Sequence, residues 1–397
     1  MFKQLLSIIV ATAVSTAVFS QDVELAQGHP DEYVVAKGDT LWGISSQFLD
    51  SPWLWPQVWQ ANPQIDNPHL IYPGDVISLA YINGKPKLLV KRGGHPTVKL
   101  GPKVRVEEKD KSINSIPLRE VERFLTKNRI LSPDEVEKQA YIIGIEEDRI
   151  LATHGDNIYV RGMHGTPGQV FGVYRATVRY RDVPARYPWA GSTPRKLQIE
   201  KWETSRGRTI SSAVATGWDN LQWSYEDDTE ILGYELVEIA RTKMISSGDP
   251  ATMQIDGITI EVKKGDLVLP VFEQPFDLTF FPHPPSNVPG NMHIIALSES
   301  VVSVGKYQVV TMNKGTKNGV ETGQVYTIMH PGSTVFDDIA YAKEDYRLAF
   351  SRKKAYVTLP DEEAGKLMIF KAFDRVSYGL IMDSKRNIYL HDYMAAP

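Results

Sequence analysis

The second half of the chain carries an apparent internal duplication, and this feature constrains the fold more than any other. From Tyr141 onward, β-prone runs alternate with glycine turns and recur in a similar order. The matching pairs are residues 156–162 with 307–315, 169–174 with 324–329, 233–240 with 365–372, and 260–269 with 388–393. Chance similarity between β sequences is the alternative to a duplication. We predict a multidomain, mainly β protein with two related barrel-like or sandwich-like modules.

Proline-rich and polar stretches set the boundaries of these modules. Residues 276–292 are rich in proline, which interrupts regular elements, and we assign them to a linker. The first β module then spans residues 141–275, and the second spans residues 293–397. Residues 184–224 are polar and aromatic, and they indicate a long loop or insertion in the first module.

The N-terminal residues 33–81 follow a different pattern, which predicts a small mixed module. Residues 33–36 form a short β-prone run, and Gly38 permits a sharp turn after it. Either Asp39 or Thr40 can cap the helix that follows. The buried face of that helix is predicted from helical spacing to contain Leu41, Ile44 and Phe48.

A second helix and a closing strand complete the module. Pro56 is tolerated in a first helical turn, and Asn62 before Pro63 disfavours helical geometry and ends the helix. Pro73 and Gly74 suit the second and third positions of a type II turn, after which another β-prone run begins. The predicted order is β-α-α-β.

Together these elements resemble a LysM domain, which we place at residues 29–84. The residues that carry the resemblance are Tyr33-Val34-Val35, Gly38-Asp39-Thr40-Leu41-Trp42, Ile44, Asn62-Pro63, Ile71-Tyr72-Pro73-Gly74-Asp75 and Ile77. Each piece is weak by itself, whereas their shared order is specific. The resemblance implies a βααβ fold that binds N-acetylglucosamine-containing glycans, here peptidoglycan.

The resemblance also implies that the glycan lies in a shallow groove between two loops. Backbone amide and carbonyl groups there can bond an acetamido group, and apolar side chains cover its methyl group. The implied glycan-binding residues are Gly38, Asp39, Thr40, Leu41 and Trp42 in the first loop, and Asn62, Pro63, Leu70, Ile71, Tyr72, Pro73 and Gly74 in the second. Alternatively, most of these residues serve only to build the turns and the small core.

One part of the module departs from the family pattern. Residues 49–56 lengthen the segment between the helices and add tryptophans. We assign Trp55 and Trp59 to the core, because so small a module needs large apolar side chains. Trp53 either packs, which we favour, or stacks on a sugar ring or a partner.

Residues 85–140 are predicted to be a linker with two short helices. Residues 85–111 are rich in Lys and Arg and lack sustained periodicity, which indicates a linker along a neighbouring domain. A basic strip that touches anionic envelope groups is the alternative. The short helices are predicted at residues 118–125 and 134–139, the second with Pro133 at its first position.

Residues 1–20 have the features of a signal peptide. Lys3 supplies the positive start, an apolar run follows, and Val18 and Ser20 suit cleavage before Gln21. The run is short for a membrane span, although an uncleaved anchor is the alternative. We expect an exported protein that is not transmembrane after signal removal.

The composition of the chain limits the cellular compartments and the partners that we expect. The chain has no cysteine, so it has neither disulfides nor the lipid-modified cysteine of a lipoprotein. With LysM features, this composition favours the bacterial periplasm. The net charge of -4 provides no basic field for nucleic acid, so we expect no nucleic-acid partner.

The sequence lacks the motifs of the wall-cutting enzymes to which LysM modules are often attached. Cysteine endopeptidases and L,D-transpeptidases need a thiolate, and LytM-type zinc enzymes need a His-x-His pair, which none of the nine histidines forms. No His-Glu-x-x-His or Gly-x-Ser-x-Gly occurs either. The acidic doublets 146–147, 227–228, 337–338 and 362–363 are more typical of solvated turns than of acid/base pairs. We expect no enzyme activity, no catalytic residue, no metal and no cofactor.

The overall layout resembles LysM proteins of Gram-negative bacteria related to the type IV pilus secretin-associated protein. The supporting residues are 50–59, 62–75, 307–310, 359–365 and 370–376. The resemblance implies a flagellar FlgT-like C-terminal region, and an envelope role in which one end holds peptidoglycan while the β modules pack around an outer-membrane secretin. Two alternatives are a wall-bound scaffold unconnected with pili and a hydrolase with an unfamiliar site.

Overall fold

The computed structural model shows a small N-terminal module and two closed β barrels. The described residues are 23–59, 71–92, 113–126, 128–182, 201–203, 209–211, 230–271, 280–298, 302–337, 339 and 356–397. The predicted signal peptide, residues 1–20, lies outside them. Of the helices in these ranges, none is long and apolar enough to cross a membrane.

The N-terminal module follows the predicted β-α-α-β order and adds one strand. Its strands form an antiparallel sheet in the order β1-β2-β3. The elements are β1 (Glu32–Val34), α1 (Leu41–Phe48), α2 (Trp55–Trp59), β2 (Val76–Ile82) and β3 (Lys85–Lys91).

The added strand β3 corrects the prediction that the linker begins at residue 85. Residues 85–91 pair along the whole of β2, and Asn83 and Gly84 between the strands have φ values of 55° and 75°. Two positive φ values in a two-residue Asn-Gly loop match a type I′ hairpin turn, a sequence signal that we missed. The basic residues that suggested a linker suit an edge strand, where exposed lysines discourage pairing with other chains.

The core of the module contains the apolar side chains that helical spacing predicted. Trp55 and Trp59 are 0% and 3% exposed, which confirms their assignment to the core. Trp53 lies in a short 3₁₀ turn, Pro52–Leu54, and is also buried, so it packs rather than facing solvent. The core side chains include Leu41, Ile44, Phe48, Val58, Ile71, Ile77 and Leu88.

Two short helices follow, as predicted. They are α3 (Leu118–Thr126) and α4 (Pro133–Lys138), and strand β4 (Asn128–Leu131) lies between them. Pro133 stands in the first turn of α4, and a capping box fixes its start: Ser132 Oγ accepts from Glu135 N at 3.4 Å, and Ser132 N donates to Glu135 Oε2 at 2.8 Å. Strand β4 pairs with a strand of the first barrel, so this part of the predicted linker belongs to a sheet.

The first barrel is a ring of six strands. They follow the order β12-β7-β5-β14-β8-β11, and β11 pairs with β12 to close the ring. The strands of this region are β5 (Ala140–Ile145), β6 (Leu151–Ala152), β7 (Asn157–Arg161), β8 (Val170–Arg181), β9 (Lys201–Glu203), β10 (Thr209–Ser211), β11 (Ile231–Ser246), β12 (Ala251–Ile258), β13 (Val262–Lys263) and β14 (Leu267–Pro270).

The second barrel is also a six-stranded ring. Its order is β15-β16-β21-β20-β17-β22, and hydrogen bonds from Ile294 N to Asp392 O (3.0 Å) and from Met394 N to Met292 O (2.9 Å) close it. The strands of this region are β15 (Ile294–Leu297), β16 (Val309–Met312), β17 (Val325–His330), β18 (Thr334–Phe336), β19 (Tyr356–Thr358), β20 (Glu362–Ala372), β21 (Ser377–Ser384) and β22 (Tyr393–Ala395).

The two rings have the same topology, which confirms the prediction of two related β modules. In chain order, β5, β7, β8, β11, β12 and β14 of the first barrel correspond to β15, β16, β17, β20, β21 and β22 of the second. Even the short pairing of β6 with β13 has its counterpart in an isolated bridge between Val304 and Ile388. The predicted match of residues 169–174 with 324–329 holds residue by residue along β8 and β17.

The predicted match of residues 233–240 with 365–372 is out of register. Equivalent ladder positions pair Val173 with Ala240 in the first barrel and Ile328 with Gly365 in the second. Gly365 therefore corresponds to Ala240. The two glycines that guided the alignment serve different contacts: a Cβ on Gly365 would lie 2.2 Å from Asp383 O, and one on Gly233 would lie 2.8 Å from Ile130 Cγ2.

Each barrel carries an insertion at the same place. The β9–β10 hairpin lies between β8 and β11, within the insertion predicted at residues 184–224, and the β18–β19 hairpin lies between the equivalent strands β17 and β20. Most of residues 184–224 lie outside the described residues. The described part of the predicted proline-rich linker runs along the second barrel, where Val325 N donates to His283 O at 2.9 Å.

A buried polar cluster joins the two barrels. Glu235 of β11 is fully buried, and its Oε2 accepts from Tyr180 Oη of the first barrel and Tyr378 Oη of the second, each at 2.6 Å. Burial raises the pKa of Glu235, and these hydrogen bonds partly oppose the rise. Burial lowers the pKa of nearby Lys371 to about 8, and its Nζ donates to Phe124 O at 2.9 Å and to Asn128 O at 2.8 Å.

Candidate functional site

The first predicted loop is a turn built around one carboxylate. Asp39 Oδ2 accepts from Ala36 N at 2.8 Å and from Tyr33 Oη at 3.0 Å, and Gly38 has a φ of 98°, which favours glycine. The pKa of Tyr33 is raised, mainly by burial and secondly by the hydrogen bond to Asp39. The Asp39 carboxylate therefore stabilises the loop itself.

The first loop leads directly into α1. Thr40 is the N-cap, and its Oγ1 accepts from Gly43 N at 3.1 Å. Leu41 and Trp42 begin the helix with side chains that are 0% and 2% exposed. Leu41 packs in the core of the module, whereas Trp42 packs with Trp53 in a cluster that extends to both barrels.

The second predicted loop has the same construction. Asp75 Oδ2 accepts from Tyr72 N at 3.1 Å, and Gly74 has a φ of 93°. Arg92 donates to the same carboxylate oxygen at 3.0 Å, and its guanidinium lies 5.3 Å from the centre of the Tyr72 ring. Pro73 is partly exposed, whereas Ile71 is fully buried. The other predicted residues, Asn62, Pro63 and Leu70, lie outside the described residues.

Backbone hydrogen bonds hold the two loops side by side. Gly74 N donates to Val35 O at 2.8 Å, and Val35 N donates to Asp75 O at 2.9 Å. The structure therefore brings together the described residues of the predicted groove, namely Gly38, Asp39, Thr40, Leu41, Trp42, Ile71, Tyr72, Pro73 and Gly74. Gly38 and Gly74 are exposed, and Tyr72 and Pro73 are partly exposed, which suits a neutral polar ligand with apolar patches.

A segment from the predicted linker lies between the loops. Leu41 N donates to Asn114 O at 2.9 Å, Trp42 N donates to Ser115 O at 3.2 Å, and Ile113 N donates to Ile71 O at 2.8 Å. Residues 113–116, which we call the groove segment, were not predicted to lie in the groove. Its local signal is weak, since it consists of two isoleucines that flank two polar residues.

Acidic residues of two predicted doublets form ion pairs in the described part of the chain. Glu147 pairs with Arg149 at 2.7 Å, Glu363 pairs with Lys385 at 2.6 Å, and Glu362 pairs with Arg386. Doublet 227–228 and residue 338 lie outside the described residues. In the part of the chain that the structure describes, no group of three or more His, Asp or Glu side chains is arranged to hold a metal ion.

Comparison with known protein families identifies the domain that contains the groove. Residues 33–80 match the family model of the LysM domain. This match confirms the predicted domain and covers every described residue of the two loops. No curated protein matches the chain. A LysM domain is a binding domain, and its presence suggests that this chain binds peptidoglycan or a related glycan.

Proposed function

We propose that this protein is a non-enzymatic, peptidoglycan-binding protein of the periplasm that anchors an outer-membrane assembly, a type IV pilus secretin, to the cell wall. The observation that carries the proposal is the pair of loops within residues 33–80, joined through Val35 in a LysM domain. The apolar N-terminal run supports export, and the FlgT-like resemblance of the C-terminal region supports the secretin as partner.

The proposed glycan contacts are backbone groups and one aromatic side chain. Turn amides and carbonyls bond an acetamido group in either direction, since every peptide unit has one donor and one acceptor. Tyr72, positioned by Asp75 and Arg92, offers an apolar face to a sugar ring. A groove of this kind is shallow and binds one glycan chain weakly.

Multivalency provides the strength that one groove lacks. The two barrels are joined through the buried Glu235, so both can take part in binding one partner. Several copies held around a secretin ring would bind the wall with an avidity well above that of a single domain, because each further contact is intramolecular.

Sedimentation with isolated murein sacculi tests the wall-binding part. Tyr72→Ala should weaken sedimentation of the chain without residues 1–20 by about tenfold, or about 1.4 kcal/mol. Tyr81→Ala is the matched control, because Tyr81 belongs to the same module and is 63% exposed away from the loops. Equal binding by both variants would contradict the groove assignment, and release of muropeptides would favour a hydrolase.

Crosslinking in intact cells tests the secretin part. A photoreactive group on the exposed β18–β19 hairpin, for example at Val357, should capture an outer-membrane secretin. The same group on Tyr81 of the LysM domain should not. Capture of other envelope proteins alone would favour a general wall-bound scaffold.

A further inference from the structure

The groove segment uses backbone groups that the start of α1 leaves without partners. The first amides of a helix have no acceptor within it. Thr40 satisfies only the amide of Gly43, whereas the amides of Leu41 and Trp42 donate to the carbonyls of Asn114 and Ser115. These two amides belong to the first loop of the predicted groove.

The second loop contacts the same segment from the opposite side. Ile71 O accepts from Ile113 N at 2.8 Å, and the Ile113 side chain is 6% exposed within the core of the module. The groove segment therefore presents one amide donor, two amide acceptors and an apolar group between the loops. An acetamido group offers the same chemistry, because it is a secondary amide with a methyl group.

We propose that residues 113–116 are an internal competitor for the glycan, so that the groove binds N-acetylated sugar only when this segment leaves. The proposal rests on the proposed function and adds regulation of the same site. The amide of Leu41 or Trp42 cannot donate a full-strength hydrogen bond to the segment and to a sugar at the same time. Apparent affinity for glycan is then the intrinsic affinity multiplied by the fraction of molecules with an open groove.

The segment also connects the groove with the rest of the molecule. Ile116 is fully buried in a cluster that contains Trp42 of the LysM domain, Phe124 of α3 and Tyr378 of the second barrel. When residues 113–115 leave the groove, the position of Ile116 in that cluster changes. A partner that binds the barrels can therefore favour an open or a closed groove.

A reversible crosslink tests the competition directly. Thr40 and Asn114 are partners in a parallel β-bridge, a separation that a disulfide can span, and the chain has no other cysteine to interfere. For the Thr40→Cys/Asn114→Cys variant, we expect the oxidised form to bind sacculi at least about tenfold more weakly than the reduced form. The two forms share one sequence, so loss of the Thr40 cap affects both. Asn114→Cys alone, treated with the same oxidant, is the control.

A substitution that opens the groove should have the opposite effect on glycan binding. Ile113→Pro removes the amide that donates to Ile71 and the anchoring side chain, and it should raise apparent affinity for sacculi by about tenfold. Ile113→Ala is a milder variant if the proline form unfolds. Faster hydrogen exchange at the amides of Leu41 and Trp42 should accompany the gain.

The outcomes separate this inference from the proposed function. Weak binding by the oxidised form and stronger binding by the opened form support the competition. Equal binding by the oxidised and reduced forms, with normal sedimentation of the wild type, overturns the competition and leaves glycan binding intact. Failure of every form to sediment, the opened form included, overturns the proposed function itself.

Discussion

The two barrels share a ring topology, but the aspartate in the turn before the last strand of each barrel has a different partner. In the first barrel, Arg175 of β8 donates to both oxygens of Asp266, at 2.8 and 2.7 Å. At the equivalent position in the second barrel, His330 Nδ1 lies 2.6 Å from Asp392 Oδ1. Arg175 is 5% exposed and His330 is 32% exposed. Both turns therefore have a buried carboxylate, whereas the side chain that contacts it and the burial of that side chain differ.

A second difference explains how the molecule is assembled. Strands β8 and β11 of the first barrel continue well past Arg175, whereas β17 of the second barrel ends at His330. The extension carries Tyr180 and Glu235, which contact Tyr378 of the second barrel. The ring topology is therefore common to both barrels, whereas the contact between them depends on this added length of β8 and β11.

The largest effect is expected from breaking the buried pair of the first barrel. Arg175→Ala leaves the Asp266 carboxylate buried without its cation and should lower the free energy of unfolding by about 3–5 kcal/mol. His330→Ala should cost less, about 1–2 kcal/mol, because solvent can reach the space that the partly exposed ring leaves. Denaturant unfolding checks both values.

Arg161→Ala is the control for this pair of variants. Arg161 is 62% exposed and lies 3.9 Å from Asp249, so its removal should cost about 1 kcal/mol or less. Equal losses for Arg175→Ala and His330→Ala would show that burial does not distinguish the two turns.

The pH dependence of stability should reveal a further difference between the barrels, which is the buried lysine of the second barrel. Lys371 and Tyr378 are neighbours on β20 and β21, where the first barrel has Ser246 and Thr252. Because burial lowers the folded-state pKa of Lys371 from 10.5 to about 8, the unfolded chain binds more protons between these values. This contribution to stability is present above the unfolded-state pKa and is lost as the pH falls through about 8. Lys371→Met should remove a rise of up to about 3 kcal/mol across that range.

Unfolding curves at a series of pH values between 8 and 10 check this expectation. Lys366→Met, on the same strand, is the matched control and should keep the wild-type pH dependence. A rise that persists in Lys371→Met would assign the pH dependence to another group and would contradict the lowered pKa of Lys371.

The smallest effect is expected at a turn where one barrel has glycine and the other has histidine. Gly265 and His391 precede the equivalent aspartates, with φ values of 92° and 67°. His391→Gly relieves the backbone strain of a positive φ, because glycine adopts such a φ readily. The variant should be more stable by about 1 kcal/mol at neutral pH. Thermal unfolding of this variant and of the reverse change, Gly265→His, measures the cost.

The same substitution has a predicted pH signature. Burial, with repulsion from His293 as the second cause, lowers the pKa of His391 from 6.5 to about 4. The unfolded chain therefore binds more protons in this range, so wild-type stability falls as the pH drops from 6.5 through 4. The advantage of His391→Gly should grow over that range, and a constant advantage would contradict the assignment.

Sequence reasoning succeeded where neighbours along the chain determine the structure. The LysM loops, the short helices and the match of residues 169–174 with 324–329 all depend on turn glycines, caps and side-chain period. It failed for β3 because basic composition was given more weight than the Asn83-Gly84 turn. It also failed for the register of β11 with β20, because Gly233 and Gly365 look alike in sequence but permit contacts with different strands.

The sequence by itself determined the turns: Asp39, Asp75 and Asp266 each accept from an amide three residues earlier, beside a glycine with positive φ. Such contacts need only nearby residues, so a short pattern specifies them. Only the tertiary structure decided that Glu235 meets Tyr180 and Tyr378 and that residues 113–116 lie between the LysM loops. Those contacts join positions far apart in the chain, and they form because buried polar groups and open helix amides must find partners once the modules pack.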